Sequence, residues 1–583
     1  MLRPRGLTQH GSPIVSDPHP TFLADFHAHR TRDPNACVRL GVEARLDELP
    51  DPSLSAASAA LASAKELLAR CRSLPKETLS PDEVLDLDLA ALMLEREVHD
   101  HTFLFNGRTT RQQLPTAGDD ISDGLYTMLV NDPRPAEERL ANVTARLEMV
   151  PDYVEALLRT LHCPVQRWAE VDRDKVEGLP ALFDNLLAWA RREAFADLPR
   201  LEKAQVAAKD ALSSYLERLG ALETVPNLFV GEATARRIVE LRGIELSLEG
   251  LHRVARSFLA ELRAMLEELR GRLTRKYDLP ADATVEAVHA HLNRVFAVSV
   301  PDGRLERVLR RYEAERDKVS SFIDARGLFP IPDAQSMRIL QTPPFLEPTI
   351  PAGAMTSPAP FREGERISLV YLTLSEALLD EHTELGIPGM MIHEGIPGHH
   401  LQMTWGALHP SMVRRHVDAM DQAEGWTTML EDYMLDVGYM GDLTDEARFI
   451  GKLDIARIGA RVGIDLYFMT GDPGFLDLGV EGVSPATAED EPFEAAGALL
   501  GAVTGFTPGR VQAELNWYSM ERGYPLSYLA GNHEVWRLKR EVEDADNGLS
   551  GEALDRRFHS AFLEAGCMPM KYLRRVFRRE GLI

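Results

Sequence analysis

Apolar residues recur at three- and four-residue steps along most of the first half of this chain, from about Pro20 to Arg275, with short polar breaks between the runs. That period belongs to amphipathic helices, each of which has to bury one stripe against its neighbours. The stretch from Leu248 to Tyr277 is the plainest case: Leu251, Val254, Phe258, Leu262, Met265, Leu269 and Leu273 share a face, with Arg and Glu between them. Fewer than four clean heptads favour a packed bundle helix over a coiled-coil seam. No repeat of solenoid period is present. The sequence therefore predicts a mainly α fold.

The pattern changes at Gly327–Phe361, which carries eight prolines. Proline fixes φ and removes a donor, so this segment is expected to be neither a regular helix nor a central strand, but to run extended over the surface toward a cleft. Arg366–Thr373 is β-branched and aromatic enough for one short strand. Helical pattern resumes after Ser375 and continues to the C-terminus, except for a Gly-, Pro- and acid-rich loop from Thr470 to Pro492. The 583 residues would allow about four domains, although helical chains also wrap long stretches around one cleft. The expected organisation is an N-terminal tail at 1–20, a helical region at 21–326 covering the cleft, and a catalytic region at 327–583.

Chemistry concentrates between Met390 and Gln402, M-M-I-H-E-G-I-P-G-H-H-L-Q, where His393, Glu394, His399 and His400 fall within eight residues. A hydrolytic zinc site needs neutral imidazoles, usually a carboxylate ligand, an open position for water, and a free carboxylate to take the water's proton. In the common H-E-x-x-H arrangement the two His lie one turn apart on a helix. Here Pro397 intervenes and the next His comes at 399, about 9 Å along an ideal helix from His393 and on another face. A kink or bulge at Pro397-Gly398 is expected to swing His399 back toward His393. His399 is taken as the second ligand ahead of His400, which could instead support the site or face substrate. Glu424, on the next helical run, is the expected third ligand; Glu431 shares its face and could orient a ligand imidazole or bind the metal itself.

The H-E-x-x-P-G-H-H-x-Q string, the Glu424-Gly-Trp426 helix after it and the strand before it resemble the family called domain of unknown function 885, which is similar to the gluzincin metallopeptidases. Glu514-Leu-Asn-Trp-Tyr518, Leu526-Ser-Tyr-Leu-Ala-Gly531 and Phe558 to Pro569 look like the family's C-terminal part. The resemblance covers roughly Gly327 to Leu573, and the helical N-terminal half more loosely. It implies a large multi-helix metallopeptidase-like fold, with a small β-sheet beside the active-site helix and a deep central cleft. One zinc ion would be held by His393, His399 and Glu424. Arg366–Thr373 would be an edge strand that pairs with an extended substrate. Glu394 would be the general base, and Tyr528, Tyr518 and His559, in that order, the candidates to stabilise an oxyanion. The chain departs from the family pattern at Trp517, at Arg522 with Tyr524, and at Met469, which bears on substrate rather than on the metal.

Against 65 Lys+Arg stand 90 Asp+Glu, a formal net charge of −25, so the long-range attraction that draws nucleic acid or anionic membranes is missing. No run approaches a transmembrane helix or a secretory signal. The four cysteines, Cys37, Cys71, Cys163 and Cys567, form no CxxC pair, and a reducing, cytoplasmic setting is expected. The expected function is a zinc-dependent metallopeptidase acting on short peptides. The alternatives are a zinc amidase or other hydrolase of a specialised metabolite, and a non-catalytic helical binding protein with a structural metal. The expected partner is a small peptide or amide substrate, without nucleic acid or membrane, and a homodimer is open. For a terminal carboxylate, Arg522, Arg537 and Arg540 are the candidate cations.

Overall fold

The computed structural model describes residues 18–300, 304–342, 353–374, 382–487, 489–545 and 548–583. Helices dominate, as the periodicity requires, and the one named sheet among the described residues has three strands. The long helix expected from Leu248 spans Leu248–Lys276. Ser247 caps it, its hydroxyl accepting from the Gly250 N–H, and Arg275 and Lys276 occupy its last turn, where cations suit the helix dipole. Leu251, Ala255, Leu259 and Leu262 are buried while Met265 is turned out. The helix packs on Thr444–Thr470, where a side chain at Gly459 would come within 2.8 Å of Leu259. A groove lined by a glycine thus receives a leucine ridge, the fit that sets helix-to-helix approach.

The sheet has the order β1-β3-β2, with β1 at Gln335–Gln341, β2 at Gly353–Thr356 and β3 at Arg366–Leu372. β1 runs parallel to β3, from Gln335 opposite Arg366 to Gln341 opposite Leu372; β2 runs antiparallel, Gly353 opposite Leu372. This corrects one expectation. The strand expected at an edge and free for substrate is the central one, with both backbone edges taken. The proline-rich segment, expected to run extended and not as a central strand, supplies both outer strands. Its prolines fall outside β1, which is the placement their missing N–H permits. Residues 343–352, between β1 and β2, lie outside the described residues, as do 1–17 of the expected tail; the remainder of that tail belongs to the helix Pro18–Arg30.

Region 21–326 and region 327–583 share their apolar cores. One core joins Phe22, Phe26, Leu87 and Leu94 to Trp426, Phe558, Phe562 and Phe577. A second joins Trp168, Leu251 and Leu259 to Ile464, Leu515 and Leu529. A third lies wholly among N-terminal helices, around Leu125, Val143, Leu147, Phe183 and Tyr215. The C-terminal helix Met570–Arg579 is also tied by ion pairs to Pro81–Thr102, through Arg575 to Asp88 at 2.7 Å and Arg579 to Asp82 at 3.1 Å. No helix among the described residues is long and apolar enough to cross a membrane.

Two helices position the site. Met420–Asp436 carries Glu424 and Glu431, and Ser527–Asp544 carries Tyr528. They meet backbone to backbone: a Cβ on Gly425 would lie 2.8 Å from the Gly531 Cα, and one on Gly531 would lie 2.8 Å from the Asp421 carbonyl carbon. Neither position has room for a methyl group. Asn532 ties the pair further, its amide donating to the Thr428 hydroxyl at 3.0 Å.

Candidate metal centre

The helix Gly386–Glu394 ends one residue after His393, the chain turns through Gly395–Gly398, and a new helix starts at His399 and runs to Leu408. The expected kink within one helix is therefore a complete break. A Cβ on Gly398 would come 2.6 Å from the His393 carbonyl carbon, so only glycine lets the chain fold back this closely on the preceding turn. Trp426 holds the turn from the other side, its indole N–H donating to the Pro397 carbonyl at 3.0 Å, with the ring fully buried.

The break brings the two rings together. The centroids of His393 and His399 are 4.9 Å apart, with planes at 87°. The Nε2 atoms of both residues lie 3.6 Å from one oxygen, Oε2 of Glu424. The three ligand atoms fall within 4.8 Å of one another. Bonds of about 2.0–2.2 Å in tetrahedral arrangement set ligand atoms roughly 3.3–3.6 Å apart, so the spacing suits one zinc ion. At 3.6 Å the contacts are too long for hydrogen bonds, and Oε2 of Glu424 is buried without a partner. An ion would satisfy it. Burial alone would raise the Glu424 carboxyl, yet the charges of His399 and His393 hold it well below the usual range. Burial likewise opposes charge on His393, but Glu424, Glu431 and Glu394 hold its pKa well above the ordinary value. A proton on His393 stands where the metal would draw its electrons.

Glu431 takes the orienting role. Its Oε1 lies 2.7 Å from His393 Nδ1, so Nδ1–H donates to the carboxylate and Nε2 keeps its lone pair for the metal. His400 is no ligand. Fully buried, it lies 2.7 Å from the Ser368 hydroxyl through Nδ1 and 2.5 Å from Gln335 Oε1 through Nε2, so it pins the motif to β3 and β1. Burial pushes its pKa down to about 4, which keeps it neutral. Glu394 follows His393 directly, half-buried, and makes no hydrogen bond or ion pair with any described residue. Its charge is nevertheless felt at His393.

Of the three oxyanion candidates, the structure brings Tyr528 to the centre. Its phenol is held above the ordinary range by burial and then by the Glu424 charge. Arg461 stacks on it at 4.4 Å from the ring centroid. Tyr518 is instead occupied: it accepts from Arg461 Nε at 2.7 Å and donates to Glu514. His559 is core, stacked on Phe329 at 4.1 Å, with Nδ1–H donating to the Leu328 carbonyl at 2.9 Å. Burial lowers its pKa to about 4. Tyr524, which the sequence marked only as a departure from the family pattern, joins the site, its phenol raised by burial and by Glu424, with its ring 5.8 Å from that of Tyr528. Its one-turn spacing from Tyr528 was the available signal.

The three cations considered for a carboxylate lie elsewhere. Arg522 is buried over Phe105 and Trp168, donating to the Leu228 carbonyl. Arg537 pairs with Glu534 and Glu541, and Arg540 is exposed three turns along the helix from Tyr528.

A family model described as a bacterial protein of unknown function, DUF885, matches residues 34–577. No curated protein matches the sequence. Two solved structures have the same fold. One, a candidate lipoprotein of unknown function from Shewanella oneidensis, is 18% identical, with 96% of this chain and 99% of that one covered and a TM-score of 0.74. The other, a candidate lipoprotein from Colwellia psychrerythraea, is 14% identical, with 97% and 99% covered and a TM-score of 0.76.

Proposed function

Because this chain belongs to the DUF885 family, whose description carries no activity, we propose from its own geometry that it is a zinc-dependent hydrolase cleaving amide bonds of short peptides. The observation that carries the reading is the convergence of His393 Nε2, His399 Nε2 and the unpartnered Glu424 Oε2 on one point. Three ligands rather than four among the described residues suit a reactive site, because a structural zinc closes its sphere with protein atoms. When bound, zinc would acidify a water and polarise the scissile carbonyl.

The protein's own groups supply the rest. Glu394 is unengaged and adjacent to a ligand, and it takes the proton of the attacking water and returns it to the leaving nitrogen. Tyr528, with Tyr524 behind it, donates a hydrogen bond to the oxygen on which negative charge builds. Arg461 stacks under Tyr528, and Glu431 fixes the His393 tautomer. Because β3 is central, an extended substrate cannot pair with it.

The test is elemental analysis of the purified protein, with mass-spectrometric readout of a diverse peptide pool exposed to wild type and to Glu394→Gln. One zinc per chain and hydrolysis abolished in the variant are expected. Absence of zinc, or a fully active variant, would overturn the reading. The four unpaired cysteines favour a reducing compartment, whereas the descriptions of the two structural neighbours point to the cell surface; fractionation decides between them.

A further inference from the structure

One helical turn before Glu424 lies a small cavity lined by Arg96, Arg242, Ile244, Asp418, Met420, Asp421 and Ser527. Two of these residues belong to the first turn of the helix that holds Glu424, and Ser527 immediately precedes Tyr528. The cavity is thus built on the two helices that form the metal centre. The guanidinium of Arg242 lies 5.8 Å from the ring centroid of Tyr524, and Tyr524 in turn lies 5.8 Å from Tyr528.

The cations here are poorly matched. Arg96, in the cavity lining, makes no hydrogen bond and no ion pair within 4 Å with any described residue. Arg242 donates Nε and Nη2 to the Arg522 carbonyl, at 3.1 and 2.7 Å, and has no carboxylate within ion-pair distance among the described residues. Arg30, close enough to feel Arg96, shares Glu97 at 3.8 Å with Arg32 and His29. Burial, and then the charge of Arg96, pull down the pKa values of both Arg242 and Arg30, though for Arg30 the opposing pull of Glu97 comes between these two. Like charges held together in this way are costly unless an anion joins them. Asp418 and Asp421 line the same cavity, Asp418 in no ion pair among the described residues and Asp421 turned inward to accept the Met570 N–H at 2.9 Å, while Asp465 and Glu521 also act on Arg242 and Asp100 on Arg96 without an ion pair to either.

We propose that Arg96 and Arg242 form a subsite for the free C-terminal carboxylate of a short peptide, so that the enzyme releases one or two residues from the C-terminal end. The reach is right. Four residues of helix from Met420 to Glu424 rise about 6 Å, and an extended peptide covers about 3.3–3.6 Å per residue. A carboxylate between the two guanidiniums would hold the peptide with its scissile bond one or two residues away, beside Glu394 and Tyr528. The planar forks of arginine suit bidentate capture of a carboxylate. This inference rests on the hydrolase reading for its chemistry, but not for its binding.

The experiment uses matched peptides carrying a free C-terminal acid or a C-terminal amide. On zinc-loaded wild type the acid is expected to be cleaved at least about tenfold faster than the amide, the scale of one lost charge-assisted contact. Products should be shortened only at the C-terminal end. In Arg96→Gln, which removes a side chain that holds nothing else in place, the preference should fall to within about twofold. Binding of N-acetyl-dialanine and its amide to Glu394→Gln, measured by calorimetry, gives a readout without catalysis, with the acid expected to bind at least tenfold tighter. Equal treatment of acid and amide by wild type, in cleavage or in binding, or an acid preference unchanged in Arg96→Gln, would overturn the subsite. Acid-selective binding by a protein that holds no zinc and cleaves nothing would keep the subsite and sink the hydrolase reading.

Discussion

Replacing Gly531 with alanine tests how the centre is assembled. The added Cβ would sit 2.8 Å from the Asp421 carbonyl carbon and 3.0 Å from the Gly425 nitrogen, where carbon atoms normally stay about 3.5–4.0 Å apart. The helices Met420–Asp436 and Ser527–Asp544 would have to separate by about 1 Å. Overpacking of this kind costs about 1–3 kcal/mol, offset by about 0.5–1 kcal/mol because alanine suits a helix better than glycine. A net loss of about 1–2 kcal/mol is expected, read as a lower midpoint in urea unfolding. The consequence for chemistry should be larger. Glu424 and the two His stay together on elements joined by Trp426, so zinc affinity should change little. Tyr528 moves with the other helix, and a displacement of about 1 Å in a group that meets the reacting atoms costs on the order of a hundredfold in kcat. Gly178→Ala, in the exposed interior of Gln166–Arg192 with open space around it, is the control and should gain about 0.5–1 kcal/mol. A Gly531→Ala protein as stable and active as wild type would refute the argument that glycine contact sets the position of Tyr528.

Further expectations concern the partners of the centre. Glu431→Gln should leave the fold intact and weaken zinc binding about 10–100-fold in competition with a chelator, because His393 loses the acceptor that fixes its tautomer. Trp426→Phe removes the donor to Pro397 and part of a buried ring; about 1–3 kcal/mol of stability should go, with slower metal uptake read by stopped-flow. Glu97 is held down to about 2, against burial, by His29 and Arg32. Its folded pKa lies below its unfolded one, so its contribution is complete above about pH 4.5 and declines as the pH falls toward 2. Glu97→Gln should cost about 2–3 kcal/mol at neutral pH, and the gap in melting temperature from wild type should begin to narrow below about pH 4.5. A gap independent of pH would show the carboxylate charge to be irrelevant there.

What the residues announced and what they concealed divide along one line. Local pattern was sufficient where a single element decides the outcome: the Leu248–Lys276 helix follows from apolar spacing, and His399 over His400 follows from the need to reverse the chain at Pro397-Gly398. Glu424-Gly425-Trp426 was legible as a helix carrying a candidate ligand, but not why all three residues stand together. Each meets a different partner, namely the paired His393 and His399 rings, the Gly531 backbone and the Pro397 carbonyl. Strand order was hidden because β3 looks the same from sequence whether one or both of its edges are taken, and the strands that flank it sit among prolines. Tyr518 and His559 carry the right chemistry for a catalytic donor, but Glu514, Arg461 and Leu328 take their polar atoms; only distant residues decide that. Arg96 escaped notice for the opposite reason, since a missing partner leaves no trace in a sequence.

The core that joins Phe22 and Phe26 to Phe558, Phe577 and Leu582 has a consequence for how the protein is made. Trp426, whose indole anchors the metal turn, lies in that same core. During synthesis Phe22 and Phe26 emerge more than 500 residues before Phe558 and Phe577, and their apolar faces stay uncovered until those residues follow. Contacts between opposite ends of a chain are slow to close, so the centre is among the last parts to become ordered. Any metal would then load only after this core has closed, and loss of the helix Met570–Arg579 would strip the covering from Trp426, nearly 150 residues earlier in the sequence.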